Sequence, residues 1–403
     1  MRILAFNFYF PPHGGPGALR PLKLLKYGAE LGLEGMVIAA AEMDYPIIDE
    51  SLLSEIPDSF EILRTMENLD PLRFLRRKKQ GVIHAPRSDY FFLPDNKIWW
   101  IHPALKLGLL AEPKPDVVWA TCPPYSAAIA ASRAAKKLGA PLALDFRDSW
   151  TKNPNRPELP PIHRIINRRK AKKAVSMAGL ITCVYHSICD EMAELAPDAK
   201  IALLPNGYDP EDFPAKIPEF STDDPLRIFY LGTIYPDLNY PLPVLEAIEQ
   251  ESNVNLTIAG RYPERLMRDI ERLGIRERVE LKGYLPRREA LALAANCDIM
   301  LIYIDNRPLN LGQITSKTYE YLGLGKPILA CVPPLGEAAK LLKNFPIAFI
   351  IPPGNTEQTT NTIAKLLKLK QSGNLPDIEP PEKYQRKTQS RRWVELLLEL
   401  VAK

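Results

Sequence analysis

Short apolar runs alternate with amphipathic segments along most of the chain, and this alternation limits the fold more than any other feature. RILAFNF, GMVIAA, DVVWATC, PLALDF, GLITCVY and KIALLPN read as strands, and ALRPLKLLKYGAELG and SAAIAASRAAKKLG as helices between them. A second set starts near Leu226. LRIFYLG, NLTIAG, VELKGYL, DIMLIYI, PILACV and AFII are its strands, and PLPVLEAIEQ, ERLMRDIERLG, REALALAANC, SKTYEYLGLG and GEAAKLLKN its helices. Short apolar strands separated by helices build parallel β-α-β units. A chain of 403 residues exceeds one ordinary core,. The pattern therefore predicts an α/β protein of two doubly wound domains, residues 1–205 and 206–384, with a helix in 385–403 that packs back on the first. In an open parallel sheet, ligands bind beyond the carboxyl ends of the strands. Two such sheets facing each other would leave a crevice between them.

Composition narrows the class. Hydrophobic residues make up 46% and charged residues 25%, which is globular,. No apolar run reaches the roughly 18 residues of a membrane span. The start, MRILAFNFYF, reads as a strand and not as a signal peptide,. Five scattered cysteines without a C-x-x-C pair predict reduced thiols in a cytoplasmic protein,. No D-x-D, H-E-x-x-H, Walker loop or G-x-S-x-G is present, and the expectation is no metal and no cofactor,.

Four stretches stand where chemistry is expected. FPPHGGPGALR joins the first strand to the first helix. Its glycines, Gly14 and Gly15, allow backbone N–H groups to approach an anion, although the G-x-G-x-x-G spacing is absent,. LDFRDSW places Arg147 and Asp148 after a strand, where they either serve sugar hydroxyls and protons or form an ion pair that pins the loop,. LPNGYDPEDF carries a turn at the proposed hinge,. In TSKTYEYLGLGKPILA, Thr315 and Ser316 can cap a helix,. Lys317 opposes the macrodipole there, and a bound diphosphate would remove the conflict. Glu320, one turn on, is either a ribose ligand or an ordinary surface carboxylate.

These stretches, with LGTIY, resemble in order the nucleotide-sugar glycosyltransferases of the GT-B fold, family 4, in its bacterial surface-polysaccharide branch. The resemblance implies two Rossmann-like domains facing across a cleft. It also implies a retaining, metal-independent hexosyl transfer from a nucleoside-diphosphate sugar to a glycan or lipid-linked acceptor. The first domain would bind the acceptor, with Asp148 near it, and the second the donor. Thr315, Ser316 and Lys317 would face the diphosphate, with Gly14 and Gly15 closing from the other side. Glu320 matches the second glutamate of the family's E-x7-E motif and would bind ribose. Gly232, Thr233 and Tyr284 complete the donor set, and Lys317 and Arg261 would stabilise the leaving group. Three departures stand out. Gly312 replaces the first glutamate of E-x7-E, Thr233 stands where many members place a cation, and Cys122–Pro123 replaces a histidine.

The charge is unevenly placed. Residues 1–205 hold 27 Lys and Arg against 22 Asp and Glu, more than the whole chain's net +4. PLRFLRRKKQ contains Arg76, Arg77, Lys78 and Lys79, and HRIINRRKAKKAV contains Arg168 and Arg169. Such clusters suit either a solvated basic face or an anionic inner-membrane surface that presents a lipid-linked sugar. Nucleic acid is not expected, because no aromatic platform accompanies them. Two other readings compete: a sugar-nucleotide epimerase, and a non-catalytic sugar-nucleotide-binding subunit. The first would need more histidines, and Gly312 with the missing cation favours the second.

Overall fold

The structure is a computed structural model that describes residues 1–41, 48–65, 92–153, 159–216, 221–236 and 238–402. It divides into two compact units, Met1–Asn206 with Arg386–Lys403, and Gly207–Gln385.

The first unit holds strands β1 (Arg2–Phe6), β2 (Glu34–Ala39), β3 (Phe60–Arg64), β4 (Val117–Cys122), β5 (Leu142–Phe146), β6 (Leu180–Cys183) and β7 (Lys200–Leu203). They form one parallel sheet in the order β3-β2-β1-β4-β5-β6-β7. Helices α1 (Pro16–Ala29), α2 (Ile101–Gly108), α3 (Tyr125–Leu138), α4 (Pro161–Val175) and α5 (His186–Leu195) belong to it. Every residue of β4 is buried. That explains the continuous apolar run VVWATC, since a central parallel strand is covered on both faces. The edge strand β3 carries Glu61 and Arg64, charges that discourage pairing with another chain,. Its run FEILR buries only Phe60 fully, as a short edge strand does.

The second unit holds β8 (Leu226–Leu231), β9 (Val254–Ala259), β10 (Val279–Gly283), β11 (Ile299–Tyr303), β12 (Ile328–Cys331) and β13 (Ala348–Ile351), parallel in the order β10-β9-β8-β11-β12-β13. Its helices are α6 (Leu242–Gln250), α7 (Glu264–Arg272), α8 (Arg287–Ala295), α9 (Ser316–Leu324), α10 (Glu337–Leu342) and α11 (Thr356–Gln371). Apolar clusters include Leu256 and Leu301 in one layer, and Met300 and Ile302 in the other. Alternate residues of β11 thus feed opposite sides of the sheet, as a strand's period of two requires.

The last helix, α12 (Arg386–Val401), belongs to the first unit. Its Trp393 is fully buried, with its ring 4.7 Å from that of Trp119 on β4, and Ser390 donates to the Lys23 carbonyl of α1 at 3.2 Å.

An ionic knot sits beneath the first sheet's carboxyl edge. Asp145 on β5 is fully buried and accepts two hydrogen bonds from Arg20 of α1, at 2.8 and 2.9 Å. It also accepts from the hydroxyls of Thr121 on β4 (2.8 Å) and Thr182 on β6 (2.7 Å). Arg20 donates further to the carbonyls of Leu204 and Pro205 (2.8 and 2.9 Å). One buried pair thereby fixes a helix, three strands and the segment that leaves the first unit.

Candidate active site

In the second sheet β8 lies between β9 and β11. The chain runs outward to β10 and then returns to the other side of β8. Loops diverge at such a reversal and leave a crevice at the carboxyl ends.

Glycines floor this position. Gly232 follows β8, Gly260 follows β9 and Gly283 ends β10, all with positive φ. Gly232 N–H donates to the Ala259 carbonyl at 2.8 Å, and Gly260 N–H to that of Gly283 at 2.6 Å. A Cβ on Gly260 would stand 2.0 Å from the Gly232 carbonyl oxygen. Only glycine fits there, because both backbone sign and space exclude a side chain.

Above this floor stands the start of α9. Thr315 is the residue before its first turn, and its side chain makes no capping hydrogen bond. This corrects the sequence expectation: the Thr315 hydroxyl lies 3.1 Å from that of Thr318 instead. Thr318 N–H is held by the Thr315 carbonyl at 3.1 Å. The N–H groups of Ser316 and Lys317 find no acceptor among the described residues. Unsatisfied N–H groups at a helix start, with the dipole behind them, suit an anion.

Lys317 rises from the same turn. Its Nζ lies 4.0 Å from the centre of the Tyr230 ring, and 3.3 Å from where a Cβ on Gly232 would be. It forms no ion pair among the described residues. Burial pulls its pKa down to about 7, with Glu320 acting weakly the other way. Tyr230 is itself fixed, its hydroxyl accepting from Asn239 Nδ2 at 2.8 Å. The hydroxyl of Tyr321 on α9 accepts from Leu231 N–H at 3.0 Å and ties the helix to β8.

Glu320 is not a surface carboxylate. It is 3% exposed, and its Oε1 takes Arg287 Nη1 at 2.5 Å. Arg287, the first residue of α8, also binds Asp212 through Nε at 2.9 Å. The two carboxylates outweigh the cost of burial and raise the pKa of the guanidinium further. Arg287 and Asp212 escape a sequence reading because they lie 33 and 108 positions from Glu320. The recurrence of glycine after LRIFYL, NLTIA and VELK was the available signal for Gly260 and Gly283.

The remaining donor candidates are more open. Thr233 and Arg261 occupy neighbouring loops, joined by the Ile234 N–H to the Arg261 carbonyl at 2.8 Å; the Arg261 side chain is exposed. Tyr284 follows Gly283 and is 45% exposed. Gly312 ends the short turn Pro308–Gly312 before α9.

In the first unit, Gly14 is partly exposed, and Gly15 precedes α1 with the His13 ring 2.7 Å from where a Cβ would stand. Asp148 follows β5. Of the two readings of this stretch, the ion pair with Arg147 does not form, because Arg147 donates instead to the carbonyls of Gly17, Cys122 and Pro123. Asp148 has no hydrogen-bond partner among the described residues, and burial raises its pKa against the opposing charge of Arg147. Glu191 of α5 braces the same loop, accepting from Thr151 N–H and hydroxyl at 2.8 and 2.7 Å and from the Ser149 hydroxyl. Arg168 and Arg169 are exposed on α4, and Arg168 reaches Glu194 at 3.4 Å. Arg76, Arg77, Lys78 and Lys79 lie outside the described residues.

Residues 212–387 match the family described as glycosyl transferases group 1, and residues 61–207 match the glycosyl transferase 4-like domain. The chain is a GT-B-fold glycosyltransferase. The two matches fall on the two units and agree with the family-4 resemblance. Solved structures of the same fold include HepE of Anabaena in complex with UDP-glucose, 15% identical with a TM-score of 0.67, covering 99% of this chain and 100% of that one. A sucrose-phosphate synthase of Thermosynechococcus elongatus is 12% identical with a TM-score of 0.71, covering 100% and 99%. A glycosyltransferase of Rickettsia africae is 15% identical with a TM-score of 0.64, covering 99% and 98%. No curated protein matches the chain in sequence. For this glycosyltransferase the second unit corresponds to the group 1 domain, so the glycines, α9 and Lys317 lie in one family domain.

Proposed function

We propose that this glycosyltransferase moves a hexosyl group from a nucleoside-diphosphate sugar to a glycan or lipid-linked acceptor, with retained anomeric configuration and without a divalent metal, in the making of a surface polysaccharide or glycolipid. One observation carries the reading. Among the described residues, a lysine without an ion-pair partner stands over a glycine floor at the reversal of strand order, on a helix start whose first two N–H groups find no acceptor. HepE, which shares the fold, was solved with UDP-glucose, and this supports the donor class.

In this reading Ser316 and Lys317 N–H groups and the Lys317 ammonium take the diphosphate. Glu320 keeps one oxygen on Arg287 and offers the other to a ribose hydroxyl. The bond from the anomeric carbon to the diphosphate oxygen breaks, and charge gathers on that oxygen as the sugar becomes cation-like. The acceptor hydroxyl bonds to the same face, and its proton passes to the departing diphosphate. Donors already aimed at the developing charge lower the barrier without reorganising. The first domain takes the acceptor, with Asp148, which has no hydrogen-bond partner among the described residues, as its polar contact.

Binding should carry a proton with it. Lys317 has a pKa of about 7 in the free protein, so above that pH it is mostly neutral. A diphosphate favours the charged form and raises the pKa. Calorimetry at pH 8 in buffers of different ionisation enthalpy is expected to show net proton uptake on nucleoside-diphosphate binding, and Lys317→Met to abolish it. Uptake that survives in the variant would remove Lys317 from the diphosphate site.

A thermal-shift panel of nucleoside diphosphates and their sugars tests the donor. A ligand at 100 times its dissociation constant should stabilise by about 2.7 kcal/mol. The matching sugar nucleotide, with an acceptor, should give a product whose anomeric configuration equals the donor's. A C2-epimerised donor with no transfer would favour an epimerase instead.

A further inference from the structure

Two thiols meet at the carboxyl end of the first sheet. Cys183 is the last residue of β6 and is fully buried, whereas Cys189 ends the first turn of α5 and is partly exposed. A hydrogen bond joins their side chains. Five residues separate them in the chain, which is no recognised metal or redox spacing, and the turn from β6 into α5 brings the sulfurs together,. That turn is pinned. Val184 N–H donates to the Phe146 carbonyl at 3.1 Å, and the Ile188 and Cys189 N–H groups to the Tyr185 carbonyl at 3.2 and 3.3 Å. The contact with Cys189 and burial hold the Cys183 thiol above its ordinary pKa. The other three cysteines, Cys122, Cys297 and Cys331, are buried. Two residues beyond Cys189 stands Glu191, the brace of the Asp148 loop. It holds the Thr151 N–H and hydroxyl at 2.8 and 2.7 Å and takes the Ser149 hydroxyl as well.

We propose that Cys183 and Cys189 form a reversible modification site, joined as a disulfide when the enzyme meets a peroxide, and that this bond loosens the Asp148 loop. Cys189 is open to an oxidant and lies near a helix N-terminus, which favours the thiolate. Its sulfur attacks one peroxide oxygen and the O–O bond breaks. The hydroxide released takes up the proton given up by the Cys189 thiol and leaves as water. Cys183 then attacks the sulfenic sulfur, the S–O bond breaks, and the Cys183 proton departs with that oxygen as a second water. The peroxide is reduced by two electrons, and the two thiols are oxidised to one disulfide. The chain need not open to bring up the second sulfur, because the two side chains already touch. A covalent bond is shorter than the hydrogen bond that it replaces, so the first turn of α5 is drawn toward β6 and Glu191 moves with it. The Glu191 bonds to Thr151 are near their best length, and any displacement weakens them,. Every residue involved belongs to the first unit, outside the donor site.

Peptide mapping of the full chain by mass spectrometry, before and after hydrogen peroxide and again after dithiothreitol, tests the site. After cleavage at Tyr185 the oxidised chain is expected to give the peptides that carry Cys183 and Cys189 as one linked species, and dithiothreitol to separate them. Cys189→Ser should lose the link. That side chain is partly exposed, so the unfolding midpoint of the variant should hardly move. Amide hydrogen exchange on the same samples reads the loop. Exchange at Thr151 is expected to be on the order of tenfold faster in the oxidised chain, the effect of losing a hydrogen bond to a carboxylate. Peroxide should leave it unchanged in Cys189→Ser. Thiols that stay free, Cys189 oxidised to a sulfinic acid without a link, or a link to another cysteine overturns the pair. A Cys183–Cys189 link with unaltered exchange at Thr151 overturns the effect on the loop.

Discussion

Lys317→Ala is expected to slow sugar transfer by two to three orders of magnitude, about 3 kcal/mol in barrier, the usual effect of deleting one preorganised donor. The stability of the protein should hardly change. Burial pulls the Lys317 pKa to about 7, so the folded state disfavours the charge that the unfolded chain carries freely. Such a group is destabilising below its unfolded pKa, and the penalty grows as pH falls toward 7. Alanine removes that penalty, and the unfolding midpoint of the variant near neutral pH should be equal or higher. A residue that costs stability and sits over a glycine floor is expected when function requires the charge. Steady-state transfer and a melting curve on the same preparation provide the check. A near-normal rate, or a lost rate accompanied by a collapsed midpoint, would contradict the role given to Lys317.

The second large effect is structural. Arg20→Ala should destabilise the first unit by about 3–5 kcal/mol, because it leaves a buried carboxylate without its counter-charge. Asp145 and Arg20 are almost wholly buried, and together they hold α1, β5 and the segment at Leu204–Pro205. The pH dependence should also reverse. In the native protein burial opposes ionisation of Asp145, but the charge and hydrogen bonds of Arg20, with Thr182 and Thr121, overcome it and lower the pKa. That contribution is present above the unfolded pKa of about 4 and is lost as pH falls through the folded value. Without Arg20, burial is opposed by the two hydroxyls and the more distant charge of Arg147, and the pKa should rise above the unfolded one. Stability from this group would then be lost as pH rises. Urea unfolding at several pH values between acid and neutral measures the slope; an unchanged slope in Arg20→Ala would remove the ion pair as its source.

Much of the donor region was legible in the chain. TSKTYEYLGLG shows a helix start with small hydroxyls and a lysine, and the structure gives α9 with the Ser316 and Lys317 N–H groups without an acceptor among the described residues. LRIFYLG announced a strand ending in glycine, and Gly232 lies below Lys317. Each signal was local, the strand with its terminal glycine and the helix start with its lysine, although Gly232 and Lys317 stand 85 positions apart in the chain. The capping role of Thr315 failed because a second hydroxyl, Thr318, stood one turn on. Sequence left open whether Arg147 and Asp148 pair with each other; three backbone carbonyls take the Arg147 guanidinium instead.

By itself the sequence determined the alternation of strand and helix, the two parallel sheets and the placing of glycine where β8 and β9 end, because periodicity and backbone freedom are properties of neighbouring residues. Only the tertiary structure decided that Arg287 and Asp212 hold Glu320, that Arg20 neutralises Asp145 across 125 residues, and which face of α4 meets solvent. Those choices depend on desolvation, and a charge or an isoleucine acquires its energetic meaning only when the chain's distant parts have covered it or left it bare.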